Sequence, residues 1–425
     1  MFGKDVLEEF AWRGLISQST DRKRLAQHLG AGSKTIYCGF DPTADSLHIG
    51  SLVPLLALRR FQECKHRPIV LIGGATGLIG DPSGRDSERP LVSRDTILHR
   101  TDLLKAQVSA FLDLHGEYAA EVVNNLSWTE DLDVITFMRD IGKHFSVNAM
   151  IQRDSVRTRI KREGEGISFT EFSYMLLQSL DFLELAKTRF CSLQIGGNDQ
   201  WGNIVSGVDL VRRNLGTEVH ALTLPLVTKA DGTKFGKTSS GAVWLDKQKT
   251  SPYSFYQYWL NIADEDVTKF LRYFTFLSEE EILESERVMK RRPYERLAQR
   301  LLADNVTDIV HGRELRISAQ TVASALFKGD VRDLDETDIR QLELDGLELF
   351  QINPGEGLLA IMADSGMVKS KGEARNLVKS GGVSLNGEVV NDDKQCLEIK
   401  DALYGRYFFL RRGKKVYKLL AVNNG

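Results

Sequence analysis

The chain reads as an α/β protein: a parallel-sheet domain first, then a helical segment, then a small α+β tail. Three observations carry that expectation. From about residue 34 to 241, short apolar strands alternate with helical patterns, the arrangement that builds a parallel sheet. From 251 to 326 glycine is rare and the apolar spacing is helical. Near the end, 383–390 places Asn386-Gly387 between two strand-forming runs, a strong hairpin signal.

Each element follows in turn. Residues 35–40 read as a strand, followed by a turn-rich stretch at 41–46 and a helix over 48–60. A second strand, 68–72, runs into the glycines of 73–77, and a third, 192–195, into 196–200. In open α/β sheets, ligands bind beyond the carboxyl ends of such strands. Ser278-Glu279-Glu280-Glu281 has the form of a capped helix start. The acidic stretch 330–348 reads as a linker or a loosely packed edge, and two short helices joined near Val368-Lys369-Ser370-Lys371 precede the hairpin. The expected domains are therefore 1–245, 246–330, an acidic linker 331–352, and 353–425.

Composition narrows the class. Of 425 residues, 42% are hydrophobic and 27% charged, enough apolar material for real cores. No run reaches the roughly 18 apolar residues of a membrane span, and the acidic N-terminus lacks the layout of a signal peptide. Cys38, Cys64, Cys191 and Cys396 are far apart with no Cys-x-x-Cys pair, so reduced thiols and a cytoplasmic setting are expected, with no protein-held metal. Net charge is −2, yet 367–420 holds twelve Lys+Arg against six Asp+Glu. A basic tail on an acidic body suits a polyanion.

Two segments carry chemistry. In Asp41-Pro42-Thr43-Ala44-Asp45-Ser46-Leu47-His48-Ile49-Gly50-Ser51, a hydroxyl and an imidazole stand at a helix entrance, where free N–H groups and the helix dipole favour an anion. Gly50 leaves room for a flat ring against the backbone. Lys234-Phe235-Gly236-Lys237-Thr238 sets two lysines three apart in a glycine-flanked loop able to close over a polyphosphate. Either segment alone is equally an ordinary helix start or a surface loop; together, some 180 residues of α/β pattern apart, they are far more specific for ATP.

The pair resembles the two signatures of class I aminoacyl-tRNA synthetases, usually spelled HIGH and KMSKS. The words Tyr37-Cys38-Gly39-Phe40-Asp41-Pro42-Thr43, Gly77-Leu78-Ile79-Gly80-Asp81-Pro82-Ser83, Gly196-Gly197-Asn198-Asp199-Gln200-Trp201-Gly202-Asn203 and Lys234-Phe235-Gly236-Lys237-Thr238 are similar to the bacterial-type tyrosyl branch. Ser51 departs from the second histidine of HIGH, which touches one ribose or phosphate contact. Phe235-Gly236 replaces Met-Ser, a spelling that goes with the tyrosyl branch.

The resemblance implies a Rossmann-like catalytic domain, a helical anticodon-side domain and a C-terminal S4-like module. It implies that Thr43, His48, Lys234 and Lys237 are the catalytic phosphate contacts, with Cys38, Gly39, Asp41, Gly50, Ser51, Gly197 and Asp199 also on the ATP side. Tyr174, Gln178 and Asp181 fall on one face of a helix, at i, i+4 and i+7. Such a stripe can face water; by the resemblance it lines the amino-acid pocket. There Asp181 and Tyr37 would bond the phenol of L-tyrosine. Tyr174, Gln178 and Asp81 would hold its ammonium, and Gln200 would lie near its carboxylate. Arg85 and Arg89 are weaker pyrophosphate candidates. Mg²⁺ would arrive on ATP. Lys369, Lys371, Arg375, Lys379, Arg411, Arg412, Lys414 and Lys415 would bind tRNA(Tyr), and 131–148 would lie near a homodimer interface. A tryptophan-specific relative, a small-molecule nucleotidyltransferase and a non-catalytic RNA-binding derivative are the alternatives.

Overall fold

The computed structural model describes residues 5–83, 92–153, 156–157, 160, 166–232, 235–238, 241–328, 331–344, 347, 349–413 and 416–423. Lys234, Lys414, Lys415, Arg85 and Arg89 lie outside the described residues, as does the side chain of Lys237. The chain divides into two compact units, 1–246 with 264–291, and 247–263 with 292–425.

The first unit is built on a six-stranded sheet: β1 Gln18–Ser19, β2 Thr35–Phe40, β3 Arg67–Ile72, β4 Glu121–Asn124, β5 Cys191–Gly197 and β6 His220–Leu224. Their order is β1-β6-β5-β2-β3-β4, with β2 to β6 all parallel and only β1 antiparallel to its neighbour. The order in which successive strands are added therefore reverses between β2 and β5, which makes their carboxyl ends the topological switch point. The strands are nearly continuous apolar runs because both faces are covered. Ile36, Val70, Leu71, Ile72, Leu193 and Ile195 are all buried.

Two helices seal the sheet where the site lies. The helix Leu52–Glu63 buries Leu52, Val53, Leu55, Leu56, Leu58 and Phe61. It does not begin at His48 directly: Ile49–Ser51 form a 3₁₀ turn first. The helix Phe169–Arg189 is capped by Ser168, whose Oγ accepts from Glu171 N at 3.2 Å. It packs Leu180, Phe182, Leu183 and Leu185 with Tyr37, Ile69 and Leu71. The capping box at Ser278 forms as its spelling suggests: Glu281 Oε2 accepts from Ser278 N at 2.8 Å, and Ser278 Oγ accepts from Glu281 N at 3.2 Å.

The second unit holds a five-stranded sheet that includes Leu349–Ile352, Val383–Leu385, Glu388–Val389, Tyr407–Arg412 and Val416–Val422. The Asn-Gly hairpin is present, with Asn386 at φ 48° and Gly387 at φ 88°, the left-handed pair that a two-residue turn requires. One sheet face packs Phe408, Leu410 and Leu420 against Ile361, Met362, Ala374 and Val378 of the short helices. The other packs Tyr407, Phe409 and Leu419 against Val322 and Ala325. Within the acidic stretch, Val331, Leu334, Ile339 and Leu342 are buried in that same core, and Leu349–Ile352 pairs with Val416–Val422. The charges of that stretch therefore decorate one side of a packed segment.

Candidate active site

The two chemistry-bearing segments meet through their backbones. Ile49 N donates to Val243 O at 3.0 Å, Leu245 N to Leu47 O at 2.9 Å, and Val243 N to Gly236 O at 3.0 Å. Leu47–Ile49 is thus bonded to 243–245, and that strip in turn to the lysine loop. Gly236 sits at φ 82°, and a Cβ there would approach Ile49 Cγ1 to 3.1 Å. That close approach is what the glycine spelling permits. The His48 and Trp244 rings stand 6.3 Å apart, edge to face.

A cavity of about 470 Å³ opens at the switch point. Its walls come from the ends of β2 and β5, the 41–51 segment, the helix Phe169–Arg189 and Phe235. Tyr37, Cys38, Gly39, Asp41, Thr43, His48, Gly50, Ser51, Asp81, Tyr174, Gln178, Asp181, Gly197, Asp199 and Gln200 all line it. Of the candidates for the ATP and amino-acid sites, the loop lysines Lys234 and Lys237 and the pyrophosphate candidates Arg85 and Arg89 are not placed by the described side chains.

At one end lies a glycine-floored groove. His48 Nδ1 accepts from Gly50 N at 3.0 Å, which turns the ring over the 3₁₀ entrance. A Cβ on Gly50 would stand 2.7 Å from His48 Cε1, and one on Gly197 would stand 2.6 Å from Asp199 Oδ1. At both positions a Cβ would collide with a side chain of the site, so glycine is what lets His48 and Asp199 sit this close to the backbone. Cys38 is buried, with its thiol pushed up to about 12 by desolvation, so it is a neutral wall and not a nucleophile.

The other end is a buried polar chain. Asp181, 3% exposed, accepts from Asn125 Nδ2 at 3.0 Å and from Trp128 Nε1 at 2.9 Å. Burial pushes its carboxyl up to about 7; the bonds from Asn125 and Trp128 pull the other way, and Asp41 adds to the rise. Asn125 Nδ2 also reaches Thr76 Oγ1 at 3.1 Å, and Thr76 donates to Asp41 Oδ1 at 2.7 Å. Tyr174 Oη donates to Asp41 Oδ2 at 2.7 Å. Asp41, assigned by resemblance to the nucleotide side, therefore presents its carboxylate to the amino-acid end as well. Gln200 Nε2 donates to Asp81 Oδ2 at 2.7 Å, and Asn203 Nδ2 to Gln178 Oε1 at 3.0 Å.

Among the described residues, Tyr37 Oη and Gln194 Oε1 are buried polar atoms in this end with no hydrogen-bond partner. Tyr37 is 1% exposed, and burial followed by the charge of Asp181 holds its phenol well above the usual range. A neutral hydroxyl left unpaired in the interior is costly, so it marks where a ligand's polar group belongs. Thr76, Asn125, Trp128, Gln194, Asn203 and Trp244 are site residues that sequence reasoning missed. Thr76 lay inside the glycine run after β3 and Asn203 closed the glycine-rich word after β5; the others had no local signal.

Of the expected RNA contacts, Lys369, Lys371, Arg375 and Lys379 are exposed. The last three fall at four-residue spacing on the helix Lys371–Lys379. Arg375 also meets Asp393 at 3.1 Å. Arg411 and Arg412 are half-buried at the end of Tyr407–Arg412, opposite Ser384 and Val383.

Comparison with known proteins fits this geometry. Residues 31–328 match the model of the class I tRNA synthetases (W and Y), and the chain belongs to that family. Residues 338–420 match the tyrosine–tRNA ligase SYY-like C-terminal domain. The tyrosine–tRNA ligase of Aliivibrio fischeri strain MJ11 is 55% identical over 420 residues, covering 98% of each chain. That of Laribacter hongkongensis is 53% identical, covering 99% of each. Among solved structures, a C-terminally truncated mitochondrial tyrosyl-tRNA synthetase of Aspergillus nidulans matches with TM-score 0.68 and 30% identity, over 76% of this chain and 94% of that one. Within the family the chain falls on the tyrosine side: it is a ligase that uses ATP to join tyrosine to tRNA.

Proposed function

We propose that the switch-point cavity carries out both steps of this tyrosine–tRNA ligase reaction, with L-tyrosine at the Asp181 end and ATP over Gly50 and Gly197. The observation that carries the assignment is the backbone pairing of 47–49 with 243–245, which sets His48 and the lysine loop on one cavity. In the first step the substrate carboxylate, already ionised at neutral pH, attacks the α-phosphorus in line. The bond from the α-phosphorus to the bridging oxygen breaks, and pyrophosphate leaves; Mg²⁺ arriving on ATP would neutralise part of its charge. No general base is needed, so catalysis is alignment plus stabilisation of the leaving phosphates. Thr43, His48, Lys234 and Lys237 are the groups suited to that. In the second step a terminal ribose hydroxyl of tRNA attacks the carbonyl of the adenylate, and AMP leaves.

Selectivity for tyrosine follows from the buried end. Asp181 uses two of its lone-pair sites on Asn125 and Trp128 and retains others for a phenol hydrogen. Tyr37 Oη supplies a donor for the phenol oxygen. Phenylalanine would leave both unmatched, which is how such sites discriminate. Asp41, bonded by Tyr174, and Asp81, bonded by Gln200, form with Gln178, which Asn203 holds, the acidic surround for an ammonium group.

The basic face of the helix Lys371–Lys379, with Arg411 and Arg412, suits an S4-like RNA-binding role, giving affinity through phosphates. Val134, Ile135, Met138, Val147 and Ile151, all within 134–151, are each exposed, an apolar content that suits pairing with a second copy. The cytoplasm suits this reaction: all four cysteines are free. Among the described residues, no helix is long and apolar enough to cross a membrane. The direct test supplies labelled tyrosine, ATP and tRNA. Base-labile label on the tRNA is expected, and a labelled adenylate retained by the protein when tRNA is omitted. Label transfer without ATP would refute the two-step route.

A further inference from the structure

The helix Asp264–Phe274 belongs to the first unit, although the helix just before it in sequence belongs to the second. Its first turn grips the root of the lysine loop. Asp266 is 3% exposed, and both its carboxylate oxygens accept from Ala230 N, at 3.0 and 3.1 Å. Lys269 Nζ pairs with Asp266 Oδ1 at 3.1 Å and donates to Thr228 O at 2.7 Å. Further along the same face, Phe270 and Phe274 enclose Phe235, one of the two residues between the loop lysines, at centroid distances of 4.8 and 5.2 Å.

The far end of the helix is bolted down. Arg13 Nη1 donates to Arg272 O at 3.0 Å and to Thr275 O at 3.1 Å, while its Nη2 donates to Leu277 O at 2.6 Å. Arg60, on the helix Leu52–Glu63 that follows the His48 turn, donates through Nη2 to Thr275 O at 2.7 Å and to Tyr273 O at 3.3 Å. Guanidinium bonds to backbone carbonyls are charge-assisted and hold geometry well. One rigid element thus spans from the nucleotide-side helix to the base of the lysine loop.

We propose that Asp266 and Lys269 are positioning residues for ATP activation: through Thr228 and Ala230 they latch the root of the lysine loop to this helix and so fix the backbone from which the loop acts. The inference rests on the assignment of that loop to the ATP phosphates. Neither residue lines the cavity; they act through Thr228, Ala230 and Phe235. Because loop lysines act on charge that develops in the transition state, loosening the latch lowers turnover more than ground-state binding of tyrosine.

The test measures tyrosine-dependent ATP–pyrophosphate exchange for Asp266→Ala, Asp266→Asn and Lys269→Met, alongside tryptic cleavage at the loop. For Asp266→Ala, kcat is expected to fall about tenfold, with KM for tyrosine within about twofold of wild type. Lys269→Met should show the same split to a smaller degree. Asp266→Asn keeps one acceptor for Ala230 N and should recover part of the loss. Cleavage at Lys229, Lys234 or Lys237 should quicken in the order of lost turnover. Wild-type kinetics in both Asp266→Ala and Lys269→Met would overturn the latch. So would a parallel loss of tyrosine binding that Asp266→Asn does not relieve, since that is general damage. Absence of exchange in the wild type would instead sink the assignment of the site, while the cleavage rates would still report on the latch.

Discussion

The pH dependence of tyrosine capture follows from one buried carboxyl. Asp181 rises from 3.8 to about 7, chiefly through burial. Its ionised form is the better acceptor for a phenol, so the free protein is competent above that value. At one unit below, about a tenth of the molecules carry the carboxylate. Tyrosine kcat/KM, which reports groups of the free enzyme, is therefore expected to fall about tenfold per unit as pH drops below 7. Asp181→Asn replaces a charged acceptor by a neutral one, so its kcat/KM should lie about 10- to 100-fold lower and lose the inflection near 7. The assay is exchange at subsaturating tyrosine from about pH 5.5 to 8.5. A wild-type profile flat across that range would refute the reasoning, as would an unchanged inflection in Asp181→Asn. The same shift acts on stability. A folded pKa above the unfolded value means that this contribution is complete below about pH 4 and is lost as pH rises through 7. At about 1.4 kcal/mol per unit it amounts to about 4 kcal/mol, so Asp181→Asn should gain on wild type over that window in denaturant titrations.

Other perturbations have equally definite outcomes. Tyr37→Phe removes a buried hydroxyl that has no partner among the described residues; it should raise unfolding free energy by about 1 kcal/mol and lower tyrosine kcat/KM about tenfold, read by denaturant titration and exchange. Gly50→Ala places a Cβ 2.7 Å from His48 Cε1, so KM for ATP should rise with KM for tyrosine unchanged in exchange kinetics. Reversing Lys371 and Lys379 to Glu should weaken tRNA charging and reduce its salt dependence while sparing exchange; loss of exchange would contradict the RNA role. Point changes are the right probe there, because deleting the tail would expose Val322 and Ala325, which share a core with Phe409 and Leu419.

Much of the site was legible because it hangs on local spelling. β2, β3 and β5 announced themselves as apolar runs ending in glycine or turn residues, and those ends supply much of the cavity wall. The helix Phe169–Arg189 carried its Tyr174, Gln178 and Asp181 stripe at helical spacing, although a buried polar stripe reads in sequence like a wetted face. What stayed hidden needed tertiary contact. Asn125 follows a strand only four residues long, and its value lies in reaching Thr76 and Asp181 across 49 and 56 positions. The four buried apolar side chains of the acidic stretch were masked by the charges around them. Nothing local distinguishes the helix Asp264–Phe274 from its neighbour Pro252–Leu260, yet packing assigns them to different units.

The amino-acid dependence of ATP–pyrophosphate exchange tests the whole account most directly. Supplied separately, L-tyrosine should support rapid exchange, with phenylalanine and tryptophan near background, because only a phenol satisfies both Tyr37 and Asp181. Exchange supported equally by phenylalanine, or by tryptophan in place of tyrosine, would contradict the assignment of that buried end.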